Sequence, residues 1–114
     1  MSAKEIIVYG SGERLREVET INHILAAYHV PFRQVSVDRD PMALGRVLLW
    51  TGRRSVPTLV AAQPGQDDPY LPPSPVKSWD AGRGVDRGSI ICEPSENELV
   101  MWLRRQGFVA LVDI

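Results

Sequence analysis

Few side chains in this 114-residue sequence could carry chemistry, and only one of them is a thiol. A lone Cys92 excludes an internal disulfide framework, a four-cysteine zinc site and a two-thiol redox cycle within one subunit. It could act as a solitary redox centre, but no histidine or lysine neighbours it in sequence to lower its pKa. At the end of the run Ile90-Ile91-Cys92 it also suits a buried strand position, because free cysteine packs as a small hydrophobe. Arg53 and Arg54 could clamp an anion through charge-assisted hydrogen bonds. Equally, they could end a helix, where cations complement the dipole. His23 and His29 fall on different faces of one helical segment, and no further ligands are suggested, so no metal site is assigned. Asp38 and Asp40 could form a carboxylate pair, although a turn followed by a helix N-cap explains both. No catalytic residue is assigned.

The elements that must position these groups alternate between strand and helix. Ile6-Ile7-Val8-Tyr9 is a short apolar run ending in glycine and reads as a strand buried on both faces. Gly10-Ser11-Gly12 makes the turn, with Ser11 as an N-cap and Glu13 in the first helical turn. Leu15, Val18, Ile21, Ile24, Leu25 and Tyr28 then recur at helical spacing, until Val30-Pro31 stops the pattern. Residues 32–37 alternate as a second strand. Asp40-Pro41 opens a second helix with Met42, Leu44, Val47, Leu48 and Trp50 on its apolar side, and Gly52 ends it. Residues 58–61 and 89–92 are the third and fourth strands. A last helix begins at Ser95 or Glu96, turns Leu99, Trp102 and Leu103 inward, and stops at Gly107. The apolar tail FVALVDI is suited to dock on the body, as an extra strand or otherwise. Trp50 and Trp102 have helical-spacing neighbours and are expected in the core.

The first two strands, joined by a helix, should be parallel, and the last two can form a hairpin. The expected fold is α/β: a thioredoxin-like mixed four-stranded sheet flanked by helices, in one domain covering 1–114. Between the third and fourth strands, residues 63–88 break the pattern. Pro64, Pro69, Pro72, Pro73 and Pro75 lie here with several glycines, and no periodicity is visible, so this stretch reads as a long surface insertion. Pro72-Pro73-Ser74-Pro75-Val76-Lys77 fits a P-x-x-P-x-K pattern, which arises easily by chance in such a loop. Tyr70, Leu71 and Trp79 could fold the insertion back over the body or bury it against a partner.

Thirteen Lys and Arg balance fourteen Asp and Glu, a formal charge of −1, so nothing points to nucleic acid or an anionic membrane. No apolar run approaches the length of a bilayer span, and MSAKEIIVYG enters a strand directly rather than a signal peptide. A cytoplasmic location is expected.

The segments IIVYGSGERLREVETINHILAAYHVPFRQVSVDRDP, GRRSVPTLV and GSIICEPSENELVMWLRRQGF, in that order, resemble bacterial glutaredoxins, including their mycoredoxin-like branch. The resemblance covers about 85 to 90 of the 114 residues and is most specific at Val56-Pro57-Thr58. It implies a cis peptide bond at Val56-Pro57, with the Val56 N–H and C=O offered to an extended peptide such as glutathione. It implies that Arg53 or Arg54 holds one glutathione carboxylate and that Ser95, opening the last helix, meets the other. Glutathione is therefore a possible ligand by this resemblance.

The family's Cys-x-x-Cys is missing. Counting back from Val30-Pro31 places its cysteines near Leu15 and Val18, and counting forward from Tyr9 places them near Arg14 and Glu17. Neither pair supplies a thiolate, Ser11 is too weakly acidic to replace one, and glutaredoxin catalysis is not expected. The leading expectation is a non-catalytic glutaredoxin-like protein that binds glutathione, a peptide or a protein partner at the Val56-Pro57 cleft. The alternatives are a thiol oxidoreductase using Cys92 alone or with a thiol supplied in trans, and a scaffold domain using the 63–88 insertion.

Overall fold

The computed structural model describes residues 4–70 and 88–108. Strand β1 (Glu5–Gly10) leads through a single 3-10 turn, Gly12–Arg14, into helix α1 (Leu15–Ala27). Strand β2 (Phe32–Ser36), helix α2 (Pro41–Thr51), strands β3 (Thr58–Ala62) and β4 (Ile90–Cys92), and helix α3 (Glu96–Gln106) follow. The sheet runs β2-β1-β3-β4, with β1 and β2 parallel and both other pairs antiparallel. This is an α/β fold with a mixed four-stranded sheet and three flanking helices, compatible with the expected thioredoxin-like arrangement.

Local chemistry explains where the helices start and stop. The Asp40 carboxylate accepts the Met42 and Ala43 N–H groups at 3.0 and 3.3 Å, and Pro41 fills the first helical position, where no N–H is needed. Ser95 and Glu98 form a reciprocal capping box on α3. Gly52 and Gly107 end α2 and α3 in the left-handed region, at φ of 79° and 89°.

Alternation along the central strands divides the interior in two. Ile6, Val8, Leu59 and Ala61 face α1 and α3, meeting Val18, Ile21, Leu25, Leu99, Trp102 and Leu103. Ile7, Tyr9, Val60 and Ala62 face the other way, meeting Ala43, Val47 and Trp50 of α2. The Tyr9 and Trp50 rings pack edge to face with centroids 5.6 Å apart.

Three expectations for the helices are corrected. Leu15, on the apolar stripe, is exposed: it opens α1 a turn before Val18, the first residue of the helix to reach the core. Tyr28 is also exposed, because the chain turns at His29 and Val30 fills that end of the core. On α2 the inward residues are Ala43, Val47, Trp50 and Thr51, with Leu44 partly buried, whereas Met42 and Leu48 face out. Small Ala43 lets the helix settle onto the sheet, and the Thr51 hydroxyl satisfies itself by donating to the Val47 C=O at 2.8 Å.

The start of the 63–88 insertion is pinned to the body. Pro69 bridges to Ala62, the Tyr70 N–H donates to the Ala61 C=O at 2.7 Å, and Asp67 pairs with Arg33 and Arg46 at 3.0 and 3.4 Å. The Tyr9 hydroxyl donates to the Asp67 C=O at 3.3 Å, and burial pushes that phenol up to about 12. The P-x-x-P-x-K stretch, Leu71, Trp79 and residues 109–114 of the tail lie outside the described residues.

Candidate functional site

The turn between β1 and α1, where the resemblance expects a thiol, is occupied by a charge network. The Ser11 hydroxyl donates to Asp38, lying 3.0 Å from both carboxylate oxygens, and accepts from the Glu13 N–H at 3.2 Å. Asp38 also accepts the Gly12 N–H at 2.9 Å. Arg54 reaches across from the segment after α2 to bond Ser11 at 3.2 Å and to pair with both Asp38 and Glu13. The Gly12 N–H and the Ser11 hydroxyl, helped by the Arg54 guanidinium, hold the Asp38 carboxyl below its ordinary range. Arg54 in turn holds its proton more firmly because of Glu13 and Asp38. Its charge is thus committed within the chain.

A groove of about 310 Å3 runs along the other side of the same turn, between α1, the Val56-Pro57 segment and the start of α3. Arg14, Glu17, Val56, Pro57, Glu93 and Ser95 are among its lining residues. The Val56-Pro57 peptide bond is cis. The carbonyls beside Val56 are occupied: Arg53 accepts the Ser55 N–H at 2.9 Å, Ser55 accepts the Thr58 hydroxyl at 2.7 Å, and Pro57 accepts the Glu93 N–H at 2.8 Å. Among the described residues, none hydrogen-bonds the Val56 N–H or C=O, although Val56 is only 4% exposed. Buried backbone groups are nearly always paired, so this peptide stands out.

Of the residues singled out in the sequence, Val56, Pro57 and Ser95 come together in this groove. Ser95 spends its hydroxyl on the Glu98 N–H at 3.3 Å. Arg53 and Arg54 do not line it: Arg53 pairs with Glu93 at 2.9 Å, and Arg54 belongs to the network behind the turn. Of the two placements of the absent cysteines, Arg14 and Glu17 line the groove, 3.5 Å apart as an ion pair. Leu15 faces a different concavity and Val18 is buried in the core. Cys92 is 1% exposed, packed on the α2 side of the sheet. A larger concavity of about 450 Å3, bordered by Gly10, Ser11, Leu15, Gln34 and Asp38, is less suited to ligand capture, because Ser11 and Asp38 already satisfy one another.

The roles of two residues are not legible in the sequence. Asp38 joins partners 26 and 27 positions away, a contact no local spacing announces. Glu93 read only as part of a helix opening, yet it lines the groove with its carboxylate held by Arg53 and by the Ser55 hydroxyl at 3.0 Å. Its φ of 43°, in the left-handed region directly before a proline, is set by the fold, and nothing in the sequence announces it.

No family model, curated protein or solved structure matches the chain. Among the described residues, no helix is long and apolar enough to cross a membrane.

Proposed function

We propose that this chain is a glutaredoxin-like binding protein without thiol chemistry of its own, and that its groove takes an extended peptide segment of a protein partner. The observation that carries the reading is the Val56 peptide group, in a residue that lines the groove, with no hydrogen bond among the described residues. An extended chain laid beside it gains a donor and an acceptor at once, the main-chain logic of strand addition. Arg14 supports the same view. A guanidinium lining the groove can donate to a peptide carbonyl or carboxylate, but it cannot attack a disulfide.

Charge favours a peptide over glutathione. Two guanidiniums, Arg14 and Arg16, share the lining with three carboxylates, Glu17, Glu93 and Glu96. Glutathione would bring two more carboxylates to a groove where Glu17 and Glu93 already hold Arg14 and Arg53, whereas a peptide backbone brings none. The arginines named as its clamp are engaged elsewhere, Arg53 with Glu93 and Arg54 with Asp38 and Glu13.

The test is a titration of the full chain, followed by amide chemical shifts, with reduced glutathione and with a panel of extended peptides. A peptide is expected to move the amides of Arg14, Glu17, Val56 and Ser95 and to slow hydrogen exchange at Val56, while millimolar glutathione leaves them in place. Glutathione moving those amides when no peptide does would replace this reading with a small-thiol site. If neither moves them, the groove is not a binding site and the proposal fails.

A further inference from the structure

The exposed face of α2 is unlike that of either other helix. Its outward positions are Pro41, Met42, Gly45, Leu48 and Leu49, with no charged side chain among them. Met42, Leu48 and Leu49 leave 70%, 44% and 81% of their surface open. By contrast, α1 exposes Arg16, Glu17, Glu19 and His23, and α3 exposes Glu96, Glu98 and Arg105. The one charged residue of α2, Arg46, is turned aside to pair with Asp67. A contiguous apolar face of this kind on a polar protein marks a contact surface.

Among the described residues, nothing explains Gly45 at the centre of the face: a Cβ built there meets nothing within 4 Å, and no positive φ requires glycine. Glycine is among the poorest residues in a helix interior, so the position forgoes helix stability without any gain in packing against those residues. Its absent side chain does matter to a second helix laid across α2, because it lets the two backbones approach closely.

We propose that the outward face of α2 pairs with the same face of a second copy of this chain, antiparallel and two-fold symmetric about Gly45. The order of sizes along the face, large then small then large, is unchanged on reversal. The two-fold therefore sets Met42 against Leu48 of the other copy, Pro41 against Leu49, and Gly45 against Gly45. Such an isologous contact needs no complementary patch elsewhere on the surface. A face without charge suits a copy of itself, where a charged face would meet its own sign, and antiparallel helices also oppose their dipoles.

Size sets the strength. Covering these five residues removes roughly 450 Å2 from each copy, about 900 Å2 in all, at the low end for a specific interface. A reversible dimer with a dissociation constant on the order of micromolar to tens of micromolar is expected rather than a permanent one. Because α2 packs on the sheet face opposite α1 and α3, the pairing leaves the groove open.

Sedimentation equilibrium of the full chain, up to about 1 mM, tests this against the variants Leu49→Asp and Gly45→Leu. The wild type is expected to shift from monomer to dimer with concentration, and both variants to remain monomeric throughout. Gly45→Leu is the sharper variant, since the space around position 45 is open and leucine is the better helix former. It should raise or preserve the thermal midpoint of the monomer while abolishing the dimer. Circular dichroism confirms that both variants fold. A wild type that stays monomeric at 1 mM overturns the proposal, including the case where α2 instead binds lipid vesicles or another protein. A dimer that survives both substitutions overturns it as well.

Discussion

Asp38 is the residue on which the start of the first helix turns. It accepts the Gly12 N–H and the Ser11 hydroxyl and pairs with Arg54, so one carboxylate ties the β1–α1 turn to the chain beyond β2 and beyond α2. Its pKa is lowered in the folded protein, first by the Gly12 N–H and the Ser11 hydroxyl, then by Arg54. The sign of the linkage follows: a carboxyl depressed on folding contributes stability above its unfolded pKa, near 3.9, and loses it as pH falls through the lower folded value. We expect the unfolding midpoint of the native chain to drop as pH falls below about 4, in part through this residue. Asp38→Asn keeps the shape and removes the charge, so its midpoint should be lower at pH 7 and its acid limb shallower than that of the native chain. Parallel acid limbs for the two proteins would remove Asp38 from the account. The exposed, salt-screened part of the contact, Arg54 with Glu13, is expected to add little.

At the scale of elements, β1 and α1 meet closely at Gly10. A Cβ at Gly10 would sit 2.8 Å from one Val18 methyl and 3.3 Å from the other, so glycine here allows the strand end to touch the helix. Gly10→Ala must displace Val18 or the helix that carries it, and denaturant unfolding should register a loss of about 1–3 kcal/mol. A neutral result would mean that Val18 can rotate clear. The same elements show what the sequence can and cannot announce. Asp40 before Pro41, Ser95 with Glu98, and Gly52 and Gly107 are legible because each cap acts within a few residues. The parallel β1–β2 pair is legible because a helix intervenes. The inward face of α2 was not, since its polar residues are only Arg46 and Thr51 and periodicity needs a polar side to define an apolar one. Met42 and Leu48 were expected inside for that reason. In the groove, Val56, Pro57 and Ser95 could be read from the resemblance and Arg14 only as one of two countings. The Asp38 network and the Glu93 carboxylate depend on partners that meet only after folding.

For the molecule as a whole, the decisive feature is that one sheet serves two cores with the same strands. Ile6 and Val8 pack under α1 and α3 while Ile7 and Tyr9, between and beside them, pack under α2. Leu59 and Ala61 alternate with Val60 and Ala62 in the same way. Neither core can lose its strands without stripping the other, so the two should unfold as a unit although none of the described helices belongs to both. Each core holds one buried tryptophan: Trp50 lies against Tyr9 on the α2 side, and Trp102 is fully buried on the other, its indole N–H donating to the Gly88 C=O at 2.8 Å. The chain has three tryptophans, so fluorotryptophan labelling gives three ¹⁹F resonances, and single Trp→Phe variants assign those of Trp50 and Trp102. In a urea titration both native resonances are expected to disappear with the same midpoint and the same slope. An earlier loss at Trp50 would mean that α2 detaches from a sheet still held by α1 and α3. The alternation of β1 and β3 would then be too weak to couple the cores, and the face of α2 would have to be stabilised by what it binds.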